Sequence, residues 1–192
     1  MIILIKIFLI SGKAESGKNT VADFIANYYM KSYIDKNNFI RGVAFADEVK
    51  SIAYNLGWDG VKDLKGRELL QQIGAWGRYY NTDFWVQKVN NSILDDIVTL
   101  KDCMQNKIFC ITDVRYPNEI ERVQEFFDKH EDVKIYKIRI ERNTANHLTR
   151  EQQNDSSEVA LDNYNDWDKV FLNNKDLESL NAEVVDWLKT LD

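Results

Sequence analysis

The chain has 192 residues, about one domain's length, and is 44% hydrophobic and 29% charged. Its 5 Trp, 9 Tyr and 9 Phe can build a sizeable core, while 8 Gly and 1 Pro exclude collagen-like, linker-like and low-complexity chains. A net charge of −6 speaks against a duplex nucleic-acid binder, and two cysteines, Cys103 and Cys110, cannot form a disulfide framework.

In chain order, Ile2 to Ile10 is nearly continuous apolar sequence and predicts a central parallel strand buried on both faces. Lys6 interrupts this run and no small-residue cleavage site follows, which reads against a signal peptide. Val21, Phe24, Ile25 and Tyr28 then recur at helical spacing. Phe39 to Phe45 predicts a second strand, Asp47 to Leu56 a helix, Gly57 to Gly66 a loop, and Arg67 to Tyr80 and Asp83 to Leu100 two further helices. Lys107 to Thr112 reads as a short buried strand, and Pro117 suits a helix start because its missing N–H costs nothing there. Val133 to Ile140 is a strand, Asp168 to Leu172 a last one, and Leu177 to Leu191 carries the apolar face of a closing helix.

Strands alternating with helices imply an α/β domain with a mostly parallel sheet covered on both faces. With no repeat and no linker, residues 1–192 read as a single domain. No run of 18 apolar residues occurs, so no membrane partner is expected and the reduced cysteines suit a cytoplasmic protein.

Between the first strand and first helix lies Gly12-Lys13-Ala14-Glu15-Ser16-Gly17-Lys18-Asn19-Thr20, which fits the phosphate-loop pattern G-x-x-x-x-G-K. Glycines let backbone wrap around phosphate oxygens, the N–H groups of the turn point inward as anion donors, and Lys18 adds a full charge for the β- and γ-phosphates. Gly12, Lys13, Ser16, Gly17, Lys18, Asn19 and Thr20 are therefore the expected ATP-binding residues. Asn19 stands where the motif has Ser or Thr, so an amide oxygen would meet Mg²⁺ or its waters. Thr20 is better placed to donate to an α-phosphate.

Asp113 follows a buried strand at its C-terminal end, where an acid can hold Mg²⁺ or its waters. Arg115 would face the same crevice with a fork suited to phosphate. Arg67, Gln71 and Gly74 share one helix face, an arrangement suited to a monophosphate and a base edge. Trp76, Tyr80 and Trp85 read as core side chains. The polar stretch 141–158 almost lacks apolar periodicity; it reads as a lid whose Arg142 and Arg150 close on the transferring phosphate. His130 and His147 have no partners at metal spacing and read as surface residues.

Four stretches in order carry a family resemblance. They are Ser11-Gly12 with Ser16-Gly17-Lys18-Asn19-Thr20-Val21-Ala22-Asp23-Phe24-Ile25; Arg67-Glu68-Leu69-Leu70-Gln71-Gln72-Ile73-Gly74 with Asp83-Phe84-Trp85-Val86; Ile111-Thr112-Asp113-Val114-Arg115-Tyr116-Pro117-Asn118-Glu119; and Ser157-Glu158. In these the chain resembles the bacteriophage-type deoxynucleoside monophosphate kinases, a branch of the P-loop nucleoside-monophosphate-kinase fold. The resemblance implies a three-layer P-loop fold with a five-stranded sheet, ATP and Mg²⁺ as cofactors, and a deoxynucleoside monophosphate as acceptor. It strengthens Arg67, Gln71, Asp113 and Arg115 as site residues; with the residue reading above, Lys18, Asp113, Arg115, Arg142 and Arg150 are the expected catalytic groups, and Asn19 and Asp113 the expected metal residues. Acceptor binding falls to Arg67, Gln71, Gly74 and Trp85, in a helical region of about 46–100. The partners would be small-molecule nucleotides, a homodimer is admitted, and a phage-encoded enzyme would act in the host cytoplasm.

The chain departs from the family's pattern at Asn19, where an acid is usual, and at Asp155, where a histidine is common. The stretch from Phe45 to Arg67 is short. Two alternatives therefore stay open: a P-loop kinase of another phosphorylated metabolite, of the phosphomevalonate or dephospho-coenzyme A type, and a non-catalytic nucleotide-binding module.

Overall fold

The computed structural model describes residues 4–32, 38–101, 103, 106–143 and 149–192. Five strands, β1 (Leu4–Gly12), β2 (Asn38–Val43), β3 (Asn106–Val114), β4 (Val133–Glu141) and β5 (Lys169–Leu172), form one sheet in the order β2-β3-β1-β4-β5. Every adjacent pair is parallel. The helices are α1 (Lys18–Ser32), α2 (Ala46–Asn55), α3 (Leu64–Tyr80), α4 (Phe84–Thr99), α5 (Pro117–Phe127), α6 (Arg150–Gln153), α7 (Ser156–Val159) and α8 (Leu177–Lys189).

Alternation along β1 divides the interior into two cores. Ile5, Ile7 and Leu9 point toward Val49, Ile73, Trp85, Val89, Ile120 and Val123 of α2 to α5. Phe8 and Ile10 point the other way, toward Val21, Ile25, Leu180, Val184 and Leu188 of α1 and α8. Each such side chain is worth about 1.5–3 kcal/mol on burial, so a central strand apolar on both faces fixes its place in the sheet. The result is the expected three-layer α/β arrangement.

Most predicted elements lie within a few residues of their expected bounds. Gly66, read as loop, falls in the first turn of α3, whose Asp63 side chain accepts from the Gly66 N–H at 2.7 Å. Two aromatics expected in the core are on the surface: Trp76 is 67% exposed and Tyr80 76% exposed, and their rings stack on each other. The reason is the face of α3 they occupy, since Ile73, Gly74 and Gly77 take the buried side. The polar stretch 141–158 carries α6 and the start of α7 among its described residues, and its Glu158 bonds to the phosphate loop. His147 lies outside the described residues.

Candidate functional site

The register of β1 assembles the site. Gly12 pairs with Ile140 of β4, and Ser11 pairs with Val114 of β3 across an irregularity, so the phosphate loop, Asp113 and the end of β4 meet at the C-terminal edge of the sheet. Strand order reverses beside β1, and ligands of open α/β sheets sit at such a point.

The loop's shape depends on backbone that L side chains rarely adopt. Gly12 has φ +155° and Gly17 φ +100°, and Glu15, at φ 62°, takes the left-handed region despite its side chain. A Cβ on Gly12 would come within 2.6 Å of the Ile140 carbonyl oxygen, and one on Gly17 within 2.5 Å of Asn173 Nδ2. Such a turn leaves a concave row of N–H groups, an anion cradle. Asn173, just past β5, donates from Nδ2 to the Ser16 carbonyl at 2.8 Å and props the loop from behind. The buried Ser16 hydroxyl has no hydrogen-bond partner among the described residues.

Lys18 opens α1 and folds back, its Nζ donating to the carbonyls of Gly12 and Lys13, both at 2.7 Å. Burial, with Arg115 next in size, lowers its pKa to about 8. Both carbonyls are weak partners for an ammonium, so an incoming phosphate would outcompete them. Lys13 is turned outward onto Asp162 at 2.9 Å, and Asn19 and Thr20 follow Lys18 on the first turn of α1.

Asp113 accepts from the backbone N–H groups of Phe45 at 2.8 Å and Ala46 at 2.9 Å, so it caps the start of α2 from across the sheet. Burial pushes its carboxyl up, against those two bonds and Arg115. A carboxylate holding two N–H groups keeps lone pairs for the waters of a hydrated cation. With the exposed amide of Asn19 close to the same cavity wall, the donors suit Mg²⁺ kept in its water shell, as that ion prefers. Among the described residues, no group of three or more His, Cys, Asp or Glu could form a closed metal cage.

Arg115 pairs with Glu158 and also donates to the Ser157 carbonyl at 3.3 Å. The other Glu158 oxygen accepts from the Ala14 N–H of the phosphate loop at 2.8 Å. Asp155 caps α7 and its carboxyl is held below the usual range by the Ser157 hydroxyl and amide. The Tyr116 hydroxyl meets Ser156 Oγ at 3.1 Å. Segment 155–158 is thus strapped to both loop and β3.

Two cavities open here. One, of about 750 Å³, spans the phosphate loop, Arg67, Gln71 and Glu158; the other, of about 460 Å³, runs between α2, α3 and the start of α5 past Gln71, Gly74, Arg78 and Glu119. Lys18, Asn19 and Arg115 line both. Arg67 is exposed in the larger cavity, its Nε donating to the Lys62 carbonyl at 3.0 Å, while Gly74 is buried beside the smaller one. Trp85 contributes to that wall but spends its indole N–H on the Gly74 carbonyl at 3.0 Å and fills the notch left by Gly77. It holds α3 against α4. Arg142 donates to the Glu15 carbonyl at 3.2 Å on the outside of the loop, and Arg150 is exposed on α6.

Four further residues belong to the site. Arg139 of β4 is buried beside the loop, bonded to Ser11 Oγ and Asp162, both at 3.2 Å; an arginine among strand isoleucines was its signal. Glu119 is buried and accepts from the N–H groups of Arg115 at 2.6 Å and Tyr116 at 3.0 Å, and burial pushes its carboxyl up to about 7. Asn173 had no local signal. Arg78 continues the helix face of Arg67, Gln71 and Gly74 by one more turn, which the same spacing would have reached.

No family model matches the chain, and no curated protein matches it at a significant level. Solved structures do share its fold. The thymidylate kinase of Ehrlichia chaffeensis is 14% identical, with 96% of this chain and 99% of that one covered and a TM-score of 0.55. The APS kinase of Mycobacterium tuberculosis, solved with AMPPNP and APS, is 10% identical over 96% and 97%, with a TM-score of 0.50. Among the described residues no helix is long and apolar enough to cross a membrane. With its five parallel strands, two helical layers and glycine loop at the end of β1, the chain has the fold of the P-loop kinases.

Proposed function

We propose that the chain is an ATP-dependent phosphotransferase that converts deoxynucleoside monophosphates to diphosphates. The observation that carries this reading is the pair of cavities that meet at Lys18, Asn19 and Arg115, one over the phosphate loop and one walled by α2, α3 and α5. A donor and an acceptor need such a shared boundary for in-line transfer. The ATP phosphates would lie on the N–H groups of residues 12–20, with Lys18 leaving its two carbonyls for the γ-phosphate. Arg115 would leave Glu158 to neutralise the transferring group, and Arg142 and Arg150 would approach as segment 141–158 closes. A bound Mg²⁺ would supply charge neutralisation between β- and γ-phosphates, held by Asp113 and Asn19 through water. The acceptor would occupy the smaller cavity, with Gln71 toward its base, Gly74 and Trp85 as wall, and Arg67 at the mouth.

The test is an ADP-release screen over all deoxynucleoside and ribonucleoside monophosphates, with phosphomevalonate and dephospho-coenzyme A as rival acceptors. ADP release with one or more deoxynucleoside monophosphates, lost in Lys18→Ala, is the expected result. Release with only a rival acceptor would reassign the substrate, and no release with any would leave a nucleotide-binding module.

A further inference from the structure

We infer that the Arg78 guanidinium, stacked on the Tyr116 ring, is the anchor for the phosphate monoester of the acceptor. This rests on the phosphotransferase reading and names a residue that reading did not include. Arg78 is half-buried in the wall of the 460 Å³ cavity, its guanidinium carbon 5.3 Å from the centre of the Tyr116 ring. Its terminal nitrogens pass over Gly74, 3.5 Å from where a Cβ would stand, so the missing side chain leaves the fork room to lie flat along α3.

Apart from the exposed Lys62, the other charged groups of this cavity are already committed. Asp113 holds Phe45 and Ala46, Glu119 holds Arg115 and Tyr116, Arg115 holds Glu158, and Lys50 holds Asp47. Arg78 alone of the half-buried cations there has neither a hydrogen bond nor an ion pair among the described residues. Its charge acts on Glu119 and Asp155 only without a hydrogen bond, so the donors of a half-buried guanidinium stay open to an anion in the cavity. The ring behind it fixes the plane of the fork, and a planar fork suits two oxygens of one phosphate. Neither a nucleoside nor an uncharged metabolite would use it. Arg67, by contrast, is exposed, already bonded to a carbonyl, and lines only the larger cavity.

The experiment is titration calorimetry with the four deoxynucleoside monophosphates, the four deoxynucleosides and AMPPNP. Arg78→Ala should weaken monophosphate binding by roughly 10- to 100-fold, as expected for loss of charge-assisted bonds. AMPPNP and nucleoside binding should change less than about 3-fold, because neither uses this contact. Arg78→Lys should recover part of the loss and Tyr116→Leu should cost about 3-fold. Should Arg78→Ala not fold, Arg78→Gln keeps the stem and gives the same comparison. Wild-type monophosphate affinity in Arg78→Ala or Arg78→Gln overturns the inference and leaves the phosphotransferase reading intact. Failure of the wild type to bind any of the four monophosphates, while it binds AMPPNP, overturns both.

Discussion

The two sides of the crevice are built from different materials. On the donor side the binding surface is backbone: Gly12, Glu15 and Gly17 in left-handed or strained conformations, propped by Asn173 and flanked by the buried Arg139. On the side of the smaller cavity, proposed for the acceptor, it is side chain: Gln71 and Arg78 from α3, Arg115 from the turn after β3, and Glu119 from α5. Backbone surfaces are tied to conformation and tolerate little change, whereas side-chain surfaces can be retuned one residue at a time. The thymidylate kinase and the APS kinase that share this fold carry different substrates in their names.

The largest expected effect sits where the two sides meet. Lys18→Ala should lower kcat by about 10²-fold or more, since a charge on the transferring phosphate is lost. The fold should persist, because Lys18 bonds only to its own loop. Near-normal turnover in a folded Lys18→Ala protein would break the comparison outright.

Gly12→Ala should test the donor side through stability. Its Cβ would meet the Ser16 hydroxyl at 2.5 Å and, at 2.6 Å, the Ile140 carbonyl oxygen of β4, which cannot turn aside, so a loss of about 3 kcal/mol in denaturant unfolding is expected. The comparable change on the acceptor side, Gly74→Ala, meets only the end of Arg78 at 3.5 Å and should cost less than half as much stability while still disturbing the acceptor.

Glu119 sharpens the acceptor side with pH. Its carboxyl is higher folded, at about 7, than in an exposed chain, where 4.5 is normal. The folded state therefore favours the protonated form, so this contribution is fully present below about 4.5 and is lost as pH rises through about 7. The loss should be roughly 3 kcal/mol between those limits. Glu119→Gln should flatten that part of the stability profile; an unchanged slope would show that Glu119 binds its proton no more tightly in the fold than in the unfolded chain.

The smallest effect is on nucleotide affinity. With Lys18 at about 8 in the free protein, a bound phosphate should raise it, so binding takes up a proton and weakens as pH climbs above about 8. AMPPNP affinity should fall several-fold between pH 8 and 9, with proton uptake in buffers of different ionisation enthalpy. Affinity independent of pH there would place the Lys18 charge outside the phosphate contact.

The same contrast explains what was legible in the sequence. The phosphate loop and the strands themselves follow from local runs, because glycine spacing and apolar continuity act over ten residues or fewer; the order β2-β3-β1-β4-β5 shows only in the fold. Asp113 could be placed at a strand end, but its use of the Phe45 and Ala46 N–H groups spans 67 residues and more and has no local pattern. The Glu158 bond to Ala14 spans 144 residues and likewise shows only in the fold. Trp76 and Tyr80 were misplaced because aromatic content was read as burial, whereas α3 gives its buried face to Ile73 and the glycines. Arg78 lay within reach of helical spacing, yet its unpaired state is a property of the assembled cavity.

The most direct measurement of the central claim, transfer between two cavities that meet at Lys18, follows the phosphoryl group itself. ATP labelled at the γ-phosphate is incubated with the wild-type protein, Mg²⁺ and each deoxynucleoside monophosphate, and the products are separated. The account predicts label in a deoxynucleoside diphosphate with the wild type and a loss of about 10²-fold or more in rate with Lys18→Ala. Label remaining in ATP or appearing only as inorganic phosphate, with ATP bound to the loop and every monophosphate present, would contradict it.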